Sequence, residues 1–163
     1  MMPDAHMVSL RSRLRDTRGF MIAEQLISII FIGLLCIAVA AGLGAAMTAY
    51  SGITMQTQAD AMMSQAVEIV SDELVYALEA SDDASFVSAT RHEDATLSSD
   101  AQGIWLDASG ARACLVQAEN GLTPNLESLS YATDAGTWTF RITVESGASV
   151  LAETTMTVKR IGS

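Results

Sequence analysis

In the stretch Gly19-Phe20-Met21-Ile22-Ala23-Glu24 a single carboxylate stands at the mouth of an unbroken apolar run from Leu26 to about Met47. Burying a charge in such a place costs on the order of several kcal/mol, so an acid there is functional by default. The chemistry open to Glu24 is to meet a cation. Alone it is expensive in low dielectric, whereas a carboxylate and an ammonium brought together satisfy each other. Other reactive side chains are sparse. His6 falls in the basic N-terminal stretch and His92 has no partner at ligand or triad spacing, so metal-dependent and nucleophilic catalysis both lack their residues. Asp82, Asp83, Glu93, Asp94 and Asp100 could gather around calcium, but the alternating loop of an EF-hand is missing and a solvated loop is the simpler reading. No enzyme activity, cofactor or metal is expected.

The element that positions Glu24 is a helix of membrane length. The twenty-two residues from Leu26 to Met47 would span ~33 Å, about one hydrocarbon core, and they account for a mean hydropathy of +0.30. Arg11, Arg13, Arg15 and Arg18 precede the run and no basic residue lies within it, which puts the N-terminus in the cytoplasm and the rest of the chain outside. The net charge is −10, yet from Phe20 onward five basic residues face seventeen acidic ones, a balance of −12. Such an exterior argues against nucleic acid or anionic lipid as a partner. Lys159 and Arg160 do not by themselves make a patch. Cys36, mid-span, and Cys114, far out in the exterior, cannot plausibly pair, and Cys36 reads as a buried structural thiol.

The period of the apolar residues divides the remainder. Residues 1–19 are polar and basic and read as a leader. Residues 20–47 form the membrane or filament-core helix. Over 48–80, Met55, Ala59, Met62, Met63, Ala66, Val67, Val70, Leu74, Ala77 and Leu78 recur at spacings of three and four, an amphipathic continuation of the same helix. The methionines on that stripe belong to the contact between helix and sheet. Residues 81–101 are polar and read as a loop, with one short strand near Phe86-Val87. Residues 102–163 carry the β signal. Gly103–Asp107 and Arg112–Val116 flank Ala108-Ser109-Gly110 as a hairpin, a loop runs through Asn120-Gly121 and Pro124-Asn125, and Ser128–Thr133, Thr137–Glu145 and Ser149–Lys159 follow. Trp138, Phe140, Ile142 and Val144 alternate on one face. The expected fold is α+β: a long N-terminal helix laid on a C-terminal antiparallel sheet, a meander of four to five strands.

Gly19-Phe20-Met21-Ile22-Ala23-Glu24, with Gln25-Leu26-Ile27-Ser28-Ile29-Ile30 after it, resembles the prepilin signature of type IV pilins and type II secretion pseudopilins. The resemblance covers about thirty residues and is specific in its order of glycine, phenylalanine, mostly apolar residues, glutamate and membrane helix. It implies a pilin-like fold and three roles. Gly19 would end the leader, with cleavage before Phe20 by prepilin peptidase. Phe20 would become the new N-terminus and be N-methylated. Glu24 would meet the terminal amine of a neighbouring subunit during assembly. Met21 and Ala23 depart from the threonine and branched apolar residue often found there, and Ala41 stands where many pilins carry proline, so any kink must come from Gly42 and Gly44. Ala40 with Gly44, and Ala41 with Ala45, have the small-xxx-small spacing that lets helices approach closely.

The expected function is therefore a structural subunit, preferably a minor one, of a pilus-like filament. It would be stored in the inner (cytoplasmic) membrane with its N-terminus in the cytoplasm, then extracted into an extracellular filament. Its partners would be the peptidase, other pilin or pseudopilin subunits and a membrane assembly platform, not nucleic acid. Two rivals remain: a single-pass anchor for an interaction domain, and a secreted domain whose h-region is Leu26–Ile37 and whose cleavage site is Ala38-Val39-Ala40.

Overall fold

The computed structural model describes residues 17–161 of the chain, with side-chain surroundings from Met21 onward. The expected leader up to residue 16, with His6 and three of its arginines, lies outside the described residues. Helix α1 runs Thr17–Val75 without interruption and is followed by seven strands: β1 Phe86–Val87, β2 Asp94–Asp100, β3 Gly103–Ala108, β4 Ala111–Gln117, β5 Thr123–Ala132, β6 Thr137–Ser146 and β7 Ser149–Lys159. The chain divides into two units, one ending at Ser51 and one beginning at Gly52.

The first unit is helix alone. Its apolar side chains are exposed from Met21 to Tyr50. The few hydroxyls in it close on its own backbone: Ser28 Oγ donates to the carbonyl of Glu24 at 2.9 Å and Thr48 Oγ1 to that of Gly44 at 3.1 Å. Such back-bonding lets a hydroxyl sit in an apolar environment without an orphan donor. The helix runs on through Gly42 and Gly44, so no melted turn interrupts it there. Cys36 is exposed rather than buried.

The second unit is α+β. Ala59, Met63, Ala66, Val70 and Leu74 form the buried stripe of its helical part, at the three-and-four spacing of one helix face. Met55 lies at the margin, with its sulfur 3.5 Å from Ser146 Oγ, while Met63 is core. The helix ends at Val75, five residues before the expected Ala80. The reason lies in competing backbone partners: Leu78 N–H donates to Val87, Val87 N–H donates to Glu79, and Ala80 bridges Phe86. Arg160 and Ile161 complete the stop. Ile161 N–H donates to the Val75 carbonyl at 2.8 Å and Arg160 Nη1 to that of Leu78 at 2.7 Å.

Every strand pairs antiparallel with its sequence neighbour, but in two sheets rather than one: β1-β2-β3-β4 and β5-β6-β7. Seven strands replace the four to five expected. Strand β2 occupies most of the second half of the stretch read as a loop, and β5 begins at Thr123 and includes Pro124. Proline is tolerated because β5 is the outer strand of its sheet. The β3–β4 turn puts both Ser109 (φ 45°) and Gly110 (φ 82°) in the left-handed region, the twist that a two-residue hairpin loop favours. The inner face of β6, with Trp138, Phe140, Ile142 and Val144, is fully buried, and it joins Ile104, Leu106 and Ala108 of β3 and the helix stripe in one core. Phe86 meets the Trp138 ring edge-on at 5.9 Å and Tyr131 tilts over it at 4.6 Å.

Candidate functional site

Phe20 precedes Glu24 by one helical turn, so the two positions share a face of α1. The Gly19–Phe20 bond falls in the first turn of the helix, where backbone N–H groups have no intrahelical partner and glycine lowers the cost of unwinding. Glu24 is exposed, and among the described residues no side chain pairs with its carboxylate. A shallow groove of about 280 Å³ lies beside it, lined by Ala23, Glu24, Ile27 and Ser28. One charged oxygen pair at the lip of an apolar groove suits an amine carried on an apolar chain.

Ala40, Ala41, Gly42, Gly44 and Ala45 are exposed on the same helix. A methyl group built on Gly33, Gly42, Gly44 or Gly52 would meet nothing within 4 Å. Among the described residues, nothing makes a close approach to these small residues.

The other residues singled out in the sequence are dispersed. Asp83 accepts from Ser85 Oγ at 2.7 Å, and this bond, with a second from the Ser85 backbone, holds its carboxyl below the usual 3.8. Thr133 donates to Asp82, and Asp94 sits on β2 against Val87. Among the described residues no three acidic, histidine or cysteine side chains come together as a metal site. His92 is an exposed turn residue with φ 56°. Arg160, weighed above as a surface charge, is spent on the backbone at the helix end.

One cluster escaped the sequence reading. On the outer face of the first sheet Arg112 bridges Asp100 (Nη1 to Oδ2, 2.9 Å) and Asp107 (Nε to Oδ1, 3.2 Å) while its guanidinium lies 4.4 Å from the centre of the Trp105 ring. Trp105 Nε1 donates to Asp100 at 2.9 Å, and that bond leads the causes that hold the Asp100 carboxyl low, ahead of the Gln102 backbone and Arg112. The alternation of Trp105 with Asp107 and of Arg112 with Cys114 was visible in the hairpin, but Asp100 belongs to β2, which the polar composition concealed.

No family model, curated protein or solved structure matches this chain. What the fold defines is an α+β protein with two antiparallel sheets and one N-terminal helix. That helix is long and apolar enough to span a membrane, consistent with single-pass anchoring and compatible with a pilin-like layout.

Proposed function

We propose that this chain is a structural, non-enzymatic subunit of a type IV pilus-like filament, and within that class a minor pilin or pseudopilin. It is held in the membrane by α1, cleaved between Gly19 and Phe20 by prepilin peptidase, N-methylated at Phe20, and drawn by an assembly platform into a filament among other such subunits. The observation that carries the reading is Glu24: a carboxylate without a partner among the described residues, one turn after Phe20, at the start of an exposed apolar helix. Cleavage frees an amine on the helix face that Glu24 occupies, and packing of subunits brings that amine to the carboxylate of a neighbour. The cost of the charge in the bilayer then favours assembly.

A plain single-pass anchor would use the same apolar helix, and Tyr50 just past the span suits the aromatic belt of any such anchor. It gives Glu24 and the Gly19–Phe20 sequence no task, which is why the filament subunit is preferred. The test is a pair of variants in the native host, Glu24→Ala and Glu24→Gln, followed through membrane and sheared-filament fractions. Both are expected to be cleaved normally, to accumulate in the membrane and to be lost from the filaments. Normal recovery of either variant in sheared filaments contradicts the role given to Glu24.

A further inference from the structure

A second feature of the exterior domain calls for a ligand of a different kind. Beside the Trp105 cluster lies an open depression of about 450 Å³, lined by Ala101, Gln102, Trp105, Cys114, Gln117 and Ala118. That volume falls in the range of small-molecule sites. Register fixes which side of the tryptophan it uses. Arg112 pairs with Asp107, two residues toward the β3–β4 turn, whereas Gln117 pairs with Gly103, two residues the other way. Arg112 covers the ring from the first side and takes no part in the lining. The ring is held in place by its Nε1 bond to Asp100, and Asp100 is in turn held by the Gln102 N–H at 2.8 Å and by Arg112.

At Gly103, φ is 133° and an added Cβ would fall 2.0 Å from the Val116 carbonyl oxygen, so no side chain is possible there. The register of β3 and β4 shifts at Ile104/Trp105, a bulge that re-aims the neighbouring side chains.

We propose that this depression binds a neutral saccharide, one pyranose ring lying against the tryptophan and hydrogen-bonded by the two glutamines. The chemistry of the lining selects it. An aromatic face carries partial negative charge and attracts the weakly positive C–H face of a sugar ring. The amides of Gln102 and Gln117 each donate and accept, as sugar hydroxyls do. None of the six lining side chains is charged, so neither an anion nor a cation is favoured. A proline-rich peptide would also stack on an aromatic ring, but it offers few donors to the amides.

Cys114, exposed in the lining, supplies a reporter. The experiment uses the full chain with Cys36→Ser in phosphocholine micelles, which present no sugar, and follows the rate of maleimide attachment to Cys114. Maltotriose, cellotriose, the N-acetylglucosamine trimer and a blocked tetraproline are the probes. At least one trisaccharide is expected to shield the thiol saturably, with Kd of order ~1 mM, and Gln102→Ala with Gln117→Ala to weaken it about tenfold. Trp105→Ala should abolish shielding, with circular dichroism unchanged for every variant. The proposal is overturned if no trisaccharide shields Cys114 saturably, if tetraproline shields it as well as the sugars do, or if the glutamine variants shield as the parent does.

Discussion

Between Met21 and Ile53 the large apolar side chains stand 54% to 74% exposed, whereas Trp138, Phe140, Ile142 and Val144 on β6 are at 0%. The glycines differ in the same sense. Four on the helix have open space around them, while Gly103 is pressed against the Val116 carbonyl. In the second unit the hydrophobic free energy, roughly 1.5–3 kcal/mol for each large side chain covered, is realised inside the chain. In the first unit the same kind of residue gains nothing until lipid or other helices cover it. One region specifies its own structure, and the other specifies an environment.

That contrast can be broken at several points. The largest effect is expected from Phe140→Ala, which should destabilise the second unit by about 3–5 kcal/mol, whereas Phe31→Ala on the exposed helix should leave its unfolding within about 0.5 kcal/mol of the parent. Urea titration followed by Trp138 fluorescence checks both. Next comes Leu35→Arg, in mid-span. It should cost about 3–4 kcal/mol of insertion and shift the chain out of the membrane fraction, with no change in the unfolding of the second unit.

Arg160→Ala removes a charged donor from the Leu78 carbonyl at the helix end, and is expected to destabilise the second unit by about 1.5–3 kcal/mol. Faster hydrogen exchange at the end of α1 would accompany it. The smallest effect concerns the surface cluster. Because the Asp100 carboxyl is held below 3.8, its contribution is complete above 3.8 and is lost as pH falls through the lower native value. Trp105 emission should therefore stay constant from neutral pH down to about 4.5 and change only below the usual carboxylate range.

Much of this arrangement was legible in the residues because the patterns were strong. The strict alternation Trp138, Phe140, Ile142, Val144 states its own period and all four are buried. On the helix stripe Ala59, Met63, Ala66, Val70, Leu74 and Ala77 are buried and Met62 and Val67 half-buried, whereas Met55 and Leu78, at its two ends, are exposed. Strand β2 was not legible. Thr96, Ser98 and Ser99 look like loop residues, yet its role is set by pairing with β3, where Leu97 opposes Leu106 and Ser98 opposes Trp105. The end of α1 was missed for a related reason. Tyr76 to Ala80 continue a helical pattern, but Val87 takes the Leu78 N–H and the Glu79 carbonyl, and the Ile161 N–H takes the Val75 carbonyl. The two sheets meet through contacts far apart in sequence, such as Ser99 Oγ donating to the Leu126 carbonyl at 3.3 Å. Around Glu24 the opposite holds. Nearly everything known of that site is local sequence, because among the described residues no side chain pairs with the Glu24 carboxylate.

The filament reading is tested most directly by the N-terminus of the protein recovered from its native membrane. Mass spectrometry of the N-terminal peptide should find Phe20 as the first residue, carrying one methyl group on its amine. A chain beginning at Ala41 would make it a secreted domain, and one still beginning at Met1 or Met2 a plain anchor; either result contradicts assembly through Glu24.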